Sequence, residues 1–344
     1  MNEKPNAPAD SLTARKGKLT FRDFILKYNA PLILVVLFIA ASIISPIYLT
    51  WTNISTVLRQ QTVYLIIAMG MLMVVITAGI DLGAAPTATL SSIIAAMCFV
   101  RWGIGTQTGL GIWCVILISI AASTLIGAIN GFLVAKMRMP AFIVTLATSY
   151  AGEGVCYIIT KGNTVMLDTS SKAYEMLVYP GFAFKTLFGL PYMVVLAILI
   201  VVIFFLVMKY TTFGRMVYAI GSNENAVQLA GINSKKYLFF VYLIQGVLCG
   251  IAGVLMVCRS GNASALSCSG DYAMNTIAGV VIGGASLAGG EGSVLFTVVG
   301  VFIIAIIGNI MNLINLPSYP QMVVKAFIII FAVLLKSIST RKQG

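Results

Sequence analysis

Ten acidic residues and no histidine leave little in this 344-residue chain with which to do bond-making chemistry. Without histidine there is no histidine-based triad and no histidine-ligated zinc. No polar cluster has the spacing of an acid–base pair, which argues against an intramembrane enzyme. The ionisable groups that attract notice stand inside or beside long apolar runs: Asp81, Glu153 and Asp271. Such residues are functional candidates by default. Asp81 in Gly79-Ile80-Asp81-Leu82 is suited to a gate, a partner contact or an ordinary helix cap. Asn309 and Asn312 fall on one helical face, which suits a path for hydroxylated solutes or hydrogen bonding between helices. Lys325 is placed to snorkel toward an interface. Among 22 basic residues, the stretch Lys209–Lys236 is distinctive for a further reason. Asn223 or Ser222 can cap a short helix there, Glu224 suits its positive end and Gly231 can close it. Such a helix is either a handle for a partner or an amphipathic connector.

The elements that must carry these residues are set by composition. The chain is 59% hydrophobic and 9% charged, with mean hydropathy +1.00. Soluble domains carry about 25% charged residues, so lipid is the solvent for most of this chain. Apolar runs predict an all-α polytopic membrane protein of about ten spans. They cover 31–49, 57–77, 85–100, 110–134, 141–160, 191–208, 237–258, 272–287, 294–313 and 320–336. Spans three and eight are short and glycine-interrupted, as broken helices would be. A tail over 1–29 precedes the spans, with a potential interfacial helix over Phe21–Tyr28, and a second tail over 337–344 follows the membrane domain of 30–336. Lys and Arg concentrate in the segments that are cytosolic if both termini are inside. The net charge of +12 reflects that bias, and no basic stripe interleaved with aromatics suggests nucleic acid. Gly and Asp before spans three and eight, and Pro140 and Pro320 at spans five and ten, fit an inverted repeat of spans 2–5 and 7–10; chance recurrence at helix starts is the alternative. Cys98, Cys114, Cys156 and Cys249 read as packing residues, and Cys258 with Cys268 is the one conceivable disulfide. Three glycine pairs, at 127/131, 246/250 and 279/283, read as close helix contacts.

Four separated motifs, in order along the chain, resemble the ribose/galactose/xylose/autoinducer-2 class of ABC importer permeases. They are Gly79-Ile80-Asp81-Leu82; the loop with Gly214-Arg215, Glu224, Ala226 and Gly231-Ile232; Ile277-Ala278 with Gly283 to Gly292; and Tyr319 to Lys325. The resemblance implies that Gly214, Arg215, Asn223, Glu224, Ala226, Gly231 and Ile232 couple the chain to a separate ATPase. It implies a monosaccharide or similar small polar solute, an external solute-binding protein, a paired or homodimeric permease and a bacterial inner-membrane location. The chain departs from the family where Ala273 and Asn275 stand in place of the two acids of Tyr-Glu-x-Asp-x-Ile, and where Glu153 replaces a frequent Arg. Pathway candidates are therefore Asp81, Glu153, Asp271, Tyr272, Asn275, Asn309 and Asn312. Ser286–Gly290 only imitates an ATPase signature, and Gly17-Lys18 lacks a P-loop context. ATP and Mg belong to the partner, and no cofactor is expected in this chain. The rival reading is a proton- or sodium-coupled carrier using Asp81 and Glu153; a membrane scaffold would leave the motif-rich loop unexplained.

Overall fold

The structure, a computed structural model, describes residues 29–102, 109–268 and 271–341. The described residues form twelve α-helices: α1 (Asn29–Ile44), α2 (Trp51–Ile76), α3 (Ala84–Val100), α4 (Gly109–Gly131), α5 (Ala141–Thr160), α6 (Lys172–Leu177), α7 (Tyr192–Tyr210), α8 (Thr212–Leu229), α9 (Ser234–Ser260), α10 (Asp271–Ile282), α11 (Val294–Leu313) and α12 (Ser318–Arg341). A π-helical turn, Phe132–Lys136, prolongs α4. Among the described residues, six helices are long and apolar enough to cross a membrane: α2, α4 with its π turn, α5, α7, α9 and α11; α1 and α3 are shorter apolar helices. Exposed Trp113, Leu117 and Leu125 on α4 and Ile198, Leu199 and Ile203 on α7 would be faults in water. Against lipid they are the solvent-matched surface.

α2 and α9 form the centre. Nearly every residue of α2 from Gln61 to Ile76 is buried. α3 and α4 pack on α9 and on each other, while α10 and α11 pack on α2 and on each other. Lipid gives helices no hydrophobic reason to associate, so contact depends on close backbone approach. At the α4–α9 crossing, a Cβ on Gly127 would lie 2.5 Å from the Tyr242 carbonyl oxygen, and one on Gly246 would lie 2.9 Å from the Gly127 Cα. The expected glycine contacts at 127 and 246 are thus two sides of one crossing. Gly246→Val is expected to cost about 3 kcal/mol, the upper range for overpacking where backbone cannot yield. A lowered apparent Tm of the purified chain checks this, and an unchanged Tm would refute the tight crossing.

Two small β-ladders lie outside the helices. β1 (Val165–Met166) pairs antiparallel with β4 (Asn262–Ala263), and β2 (Thr186–Leu187) pairs with β3 (Leu190–Pro191). The first ladder ties the segment after α5 to the end of α9. The opposite end of α9 sits beside Arg138 and Glu224, because Ser234 bonds Glu224. α5 and α9 therefore run in the same direction.

Several expectations need correction. Span three is continuous as α3. Span eight was expected to reach residue 287, but α10 stops at Ile282 because the chain turns at Gly284 with φ +92°, a conformation glycine adopts without strain. α12 continues as helix to Arg341; no Gly or Pro interrupts Lys336–Arg341. The loop 209–236 is mostly helical, since α8 begins at Thr212. Cys258 is a buried free thiol. The side chain of Cys268 and the segment Phe21–Tyr28 lie outside the described residues.

Candidate functional site

α8 is two helices joined at a kink. Thr211 starts the first, its Oγ1 accepting the Gly214 N–H at 3.2 Å. Gly214 is buried and Arg215 exposed in its opening turn. Asn223 leaves the helical region with φ −162° and ψ 94°, and its Oδ1 accepts the Ala226 N–H at 3.0 Å. Asn223 is thus the N-cap of a short helix over Glu224–Leu229, as its residue type suggested. Gly231, with φ +80°, donates its N–H to the Gln228 carbonyl at 2.9 Å and closes that helix. Ile232 packs with Val227, Leu238, Ile220 and Ala135 and holds the return of the chain.

Glu224 is the organising group. One oxygen, Oε1, accepts from Arg138 Nη1 at 2.8 Å, Gln228 Nε2 at 2.8 Å and Ser234 Oγ at 2.7 Å. These donors come from the end of the α4 segment, the short helix and the start of α9. Arg138 is presented from a left-handed backbone, φ +59°, a conformation costing roughly 1–2 kcal/mol for a residue with a Cβ. The ion pair is partly exposed, its two side chains 45% and 31% accessible. Alone it would contribute less than about 1 kcal/mol; its value is in fixing three elements at one atom. The pair lines a cavity of about 410 Å³ together with Thr77, Gly79 and Tyr242.

The first half of α8 rests on the end of α2 and on the glycine-rich segment before α11. The Gly290 N–H donates to the Ile76 carbonyl at 2.8 Å, and the Tyr218 hydroxyl donates to the Gly292 carbonyl at 2.9 Å. A Cβ on Gly221 would fall 1.7 Å from the Ile76 oxygen, so only glycine permits this seat. A shift of α8 is therefore felt at once by α2 and by the entrance to α11.

α2, α10, α11 and α12 enclose a second, polar cavity of about 170 Å³. Asn275, Asn309 and Asn312 line it, joined by Gln60, Gln61, Tyr64, Gln321 and Lys325. Asn309 exchanges reciprocal hydrogen bonds with Asn53 at 2.9 and 3.0 Å. Asn312 accepts from Gln321 Nε2 at 2.9 Å. Tyr272 stacks on Tyr64, with centroids 4.8 Å apart. The two asparagines thus bond neighbouring side chains and also line the cavity.

Asp81 and Glu153 are not part of this constellation. Asp81 is buried, and its Oδ1 accepts the Gly83 N–H at 2.9 Å at the start of α3. Glu153 is half-buried on α5 and lines neither cavity. Asp271 opens α10, and its side chain lies outside the described residues. Asp81→Ala is expected to lower stability by about 1 kcal/mol, as for loss of a buried hydrogen bond to the Gly83 N–H, while Asp81→Asn keeps the acceptor and the stability. Unchanged Tm in both variants with lost solute uptake would instead assign Asp81 to the path. Sequence reasoning missed Arg138 as the partner of Glu224, and Gln60, Gln61 and Tyr64 as cavity lining. The Gln pair inside an apolar run was a usable signal for the latter; nothing local marks the former.

A family model described as "Branched-chain amino acid transport system / permease component" matches residues 53–333, a range that holds α3–α11, nearly all of α2, both cavities and the Glu224 cluster. The chain belongs to this permease family. The permease is 34% identical over 311 residues to the ribose import permease protein of Haemophilus influenzae, covering 90% of this chain and 93% of that protein. It is 33% identical to the ribose import permease protein of Bacillus subtilis, over 95% and 97% of the two chains. It is 30% identical to the L-arabinose transport system permease protein of Escherichia coli, over 93% of each. No solved structure gives a significant match. With six membrane-length apolar helices, the permease is a multi-pass membrane protein.

Proposed function

We propose that this permease is the membrane-spanning subunit of an ATP-binding-cassette importer that moves a monosaccharide or similar small polar solute into the cytoplasm by alternating access. The Glu224 cluster carries the reading. It gives the short helix over Glu224–Leu229 a fixed attitude on three elements, and it leaves Leu229 at its end 89% exposed. Lys235 and Lys236 follow closely in sequence, so this apolar residue projects from a charged, water-facing end. An exposed leucine there suits a groove on a partner. The partner is an ATPase subunit that carries ATP and Mg. Gly214, Arg215, Asn223, Glu224, Ala226, Gly231 and Ile232 shape or present the contact, and the cytosolic coupling segment is 209–236.

In this reading ten helices cross the bilayer: α1–α5, α7 and α9–α12. Both termini are cytosolic, the membrane domain extends from about residue 30 to the α12 region, and the location is a bacterial inner membrane. The matched packing of α3 and α4 on α9, and of α10 and α11 on α2, supports an inverted repeat of α2–α5 and α9–α12. The cavity of α2, α10, α11 and α12 is one half of the path, and a second permease copy supplies the other. An extracytoplasmic binding protein delivers the solute. Partner-driven shifts in the balance between two packings then suffice for transport, and the permease needs no catalytic residue.

An ion-coupled carrier would need a connected relay, and Asp81 and Glu153 do not form one in the arrangement above. Vesicles containing the permease with its ATPase and binding protein are the test. Uptake should stop on removal of ATP and persist when ionophores collapse the ion gradients. The reverse pattern would overturn the proposal.

A further inference from the structure

α5 carries polar groups on a face that its own chain leaves uncovered. Of the six membrane-length helices it is the least buried and the least apolar. Ser149 and Glu153 are half-buried and Tyr150 is 71% exposed. At spacings of three and four residues, the three share one helical face. Glu153 lies twelve residues from Ala141 and seven from Thr160, so at 1.5 Å per residue it stands about 18 and 10 Å from the two ends. The lipid-matched face of α7 is built instead of Ile198, Leu199, Ile203 and Leu206. A carboxyl group deep in hydrocarbon is costly, and such residues face protein or a water-filled cavity.

Glu153 takes part in no ion pair among the described residues, where Arg138–Glu224 is the one such pair. The Lys and Arg residues whose side chains lie outside the description fall within 1–28 and 336–342. Both segments belong to the cytosolic side in the ten-helix reading, away from Glu153. One other charge stands at its depth. Lys325 is half-buried, lines the polar cavity and lies seven residues after Ser318, the first residue of α12. With α5 and α12 running in opposite directions, both charges are about 10 Å from the outer ends of their helices. Within one chain they belong to different walls: α5 packs on α3 and α4, and α12 on α10 and α11. A lysine at this depth can snorkel to the interface; a glutamate, with a shorter stem, needs a partner.

We infer that two copies of this chain meet with α5 of each against α12 of the other, and that Glu153 pairs with Lys325 of the partner subunit. A two-fold axis along the membrane normal preserves depth and makes the contact twice, because residue i meets j and j meets i. Ser149 and Tyr150 then bring hydroxyls to the partner's polar cavity, so each cavity is completed by the other copy. The inference rests on the permease reading and deepens it, naming the face by which the second copy joins. Asp271, which opens α10 one turn before Asn275, is the competing partner for Lys325 within the chain.

The first test uses the wild-type chain in lipid nanodiscs. A hydrophobic carbodiimide joins adjacent carboxylates and ammonium groups, and should give a covalent dimer whose linked peptides contain Glu153 and Lys325. The second test reverses charges. Glu153→Lys alone should lower the dimer fraction at least about tenfold, since like charges facing each other across an interface are strongly unfavourable. The chain with both Glu153→Lys and Lys325→Glu should pair with itself. Co-expressed under a second tag, it should enter dimers with wild-type chains at least about tenfold less often than random mixing gives. A pair formed inside one chain has no means of producing that exclusion. Where a variant folds poorly, the wild-type link still decides. A Lys325–Asp271 link in place of the expected one, absence of a covalent dimer, or free mixing of swapped and wild-type chains would each overturn the inference. A dimer linked through another face, with ATP-driven uptake intact, would sink this inference and leave the importer reading standing. The Glu153–Lys325 link without ATP-driven uptake by the assembled complex would sink the importer reading alone.

Discussion

Glu224→Lys is expected to reduce solute uptake by about tenfold or more while the chain still folds and inserts. The carboxylate oxygen holds donors from Arg138, Gln228 and Ser234. At this partly exposed site the ion pair alone contributes less than about 1 kcal/mol, and a lysine would convert attraction to Arg138 into repulsion. The loss falls on the position of the short helix, since this pair is partly exposed and joins the short helix to the ends of its neighbours. ATP hydrolysis by the assembled complex should therefore persist or become independent of solute, while transport falls. Arg138→Glu alone should do similar damage, and Arg138→Glu with Glu224→Lys should recover part of the uptake. That double-mutant cycle measures the pair directly. Normal uptake in Glu224→Lys, or no recovery in the exchange, would remove the coupling role from this cluster.

Gly308→Phe is expected to abolish uptake, to below about one-tenth, with little change in stability. Gly308 lines the polar cavity between Ala305 and Asn309, and a Cβ there would meet nothing within 4 Å. The position has open space in front of it, unlike the packed glycines 127 and 246. A phenyl ring therefore enters the cavity without pressing on backbone, and replacing a mid-helix glycine stabilises α11 by several tenths of a kcal/mol. A ring projecting into a cavity of about 170 Å³ obstructs a sugar there. Gly308→Ala is the matched control and should transport almost normally. The readouts are solute uptake beside the apparent Tm of the same preparation. Full uptake in the phenylalanine variant would place the path elsewhere.

Local rules carried far in this protein. Long apolar runs demand helices because lipid offers no partner for a free amide. Helix positions were therefore legible from hydropathy, down to the placing of Pro140 at the start of α5. Asn223 and Gly231 were legible as cap and terminator because each acts on backbone within three or four residues of itself. Glycines at 127, 131, 246 and 250 announced close contact, yet not with which helix. The end of α10 was misplaced by five residues because apolar content continues through Ala285 and Leu287 while the backbone already turns at Gly284.

What the sequence determined by itself was thus the solvent, the helices and the chemical type of each polar group, all properties that depend on near neighbours. Tertiary structure decided the partnerships. Arg138 and Glu224 are 86 residues apart, and Asn53 and Asn309 are 256 apart; no periodicity spans such a distance. It also divided the candidates, gathering Asn275, Asn309 and Asn312 at one cavity while leaving Asp81 bonded to the Gly83 N–H just before α3 and Glu153 on another helix. The reason is geometric: a residue type states what bonds it can make, and only helix packing sets which groups come within 3 Å of it.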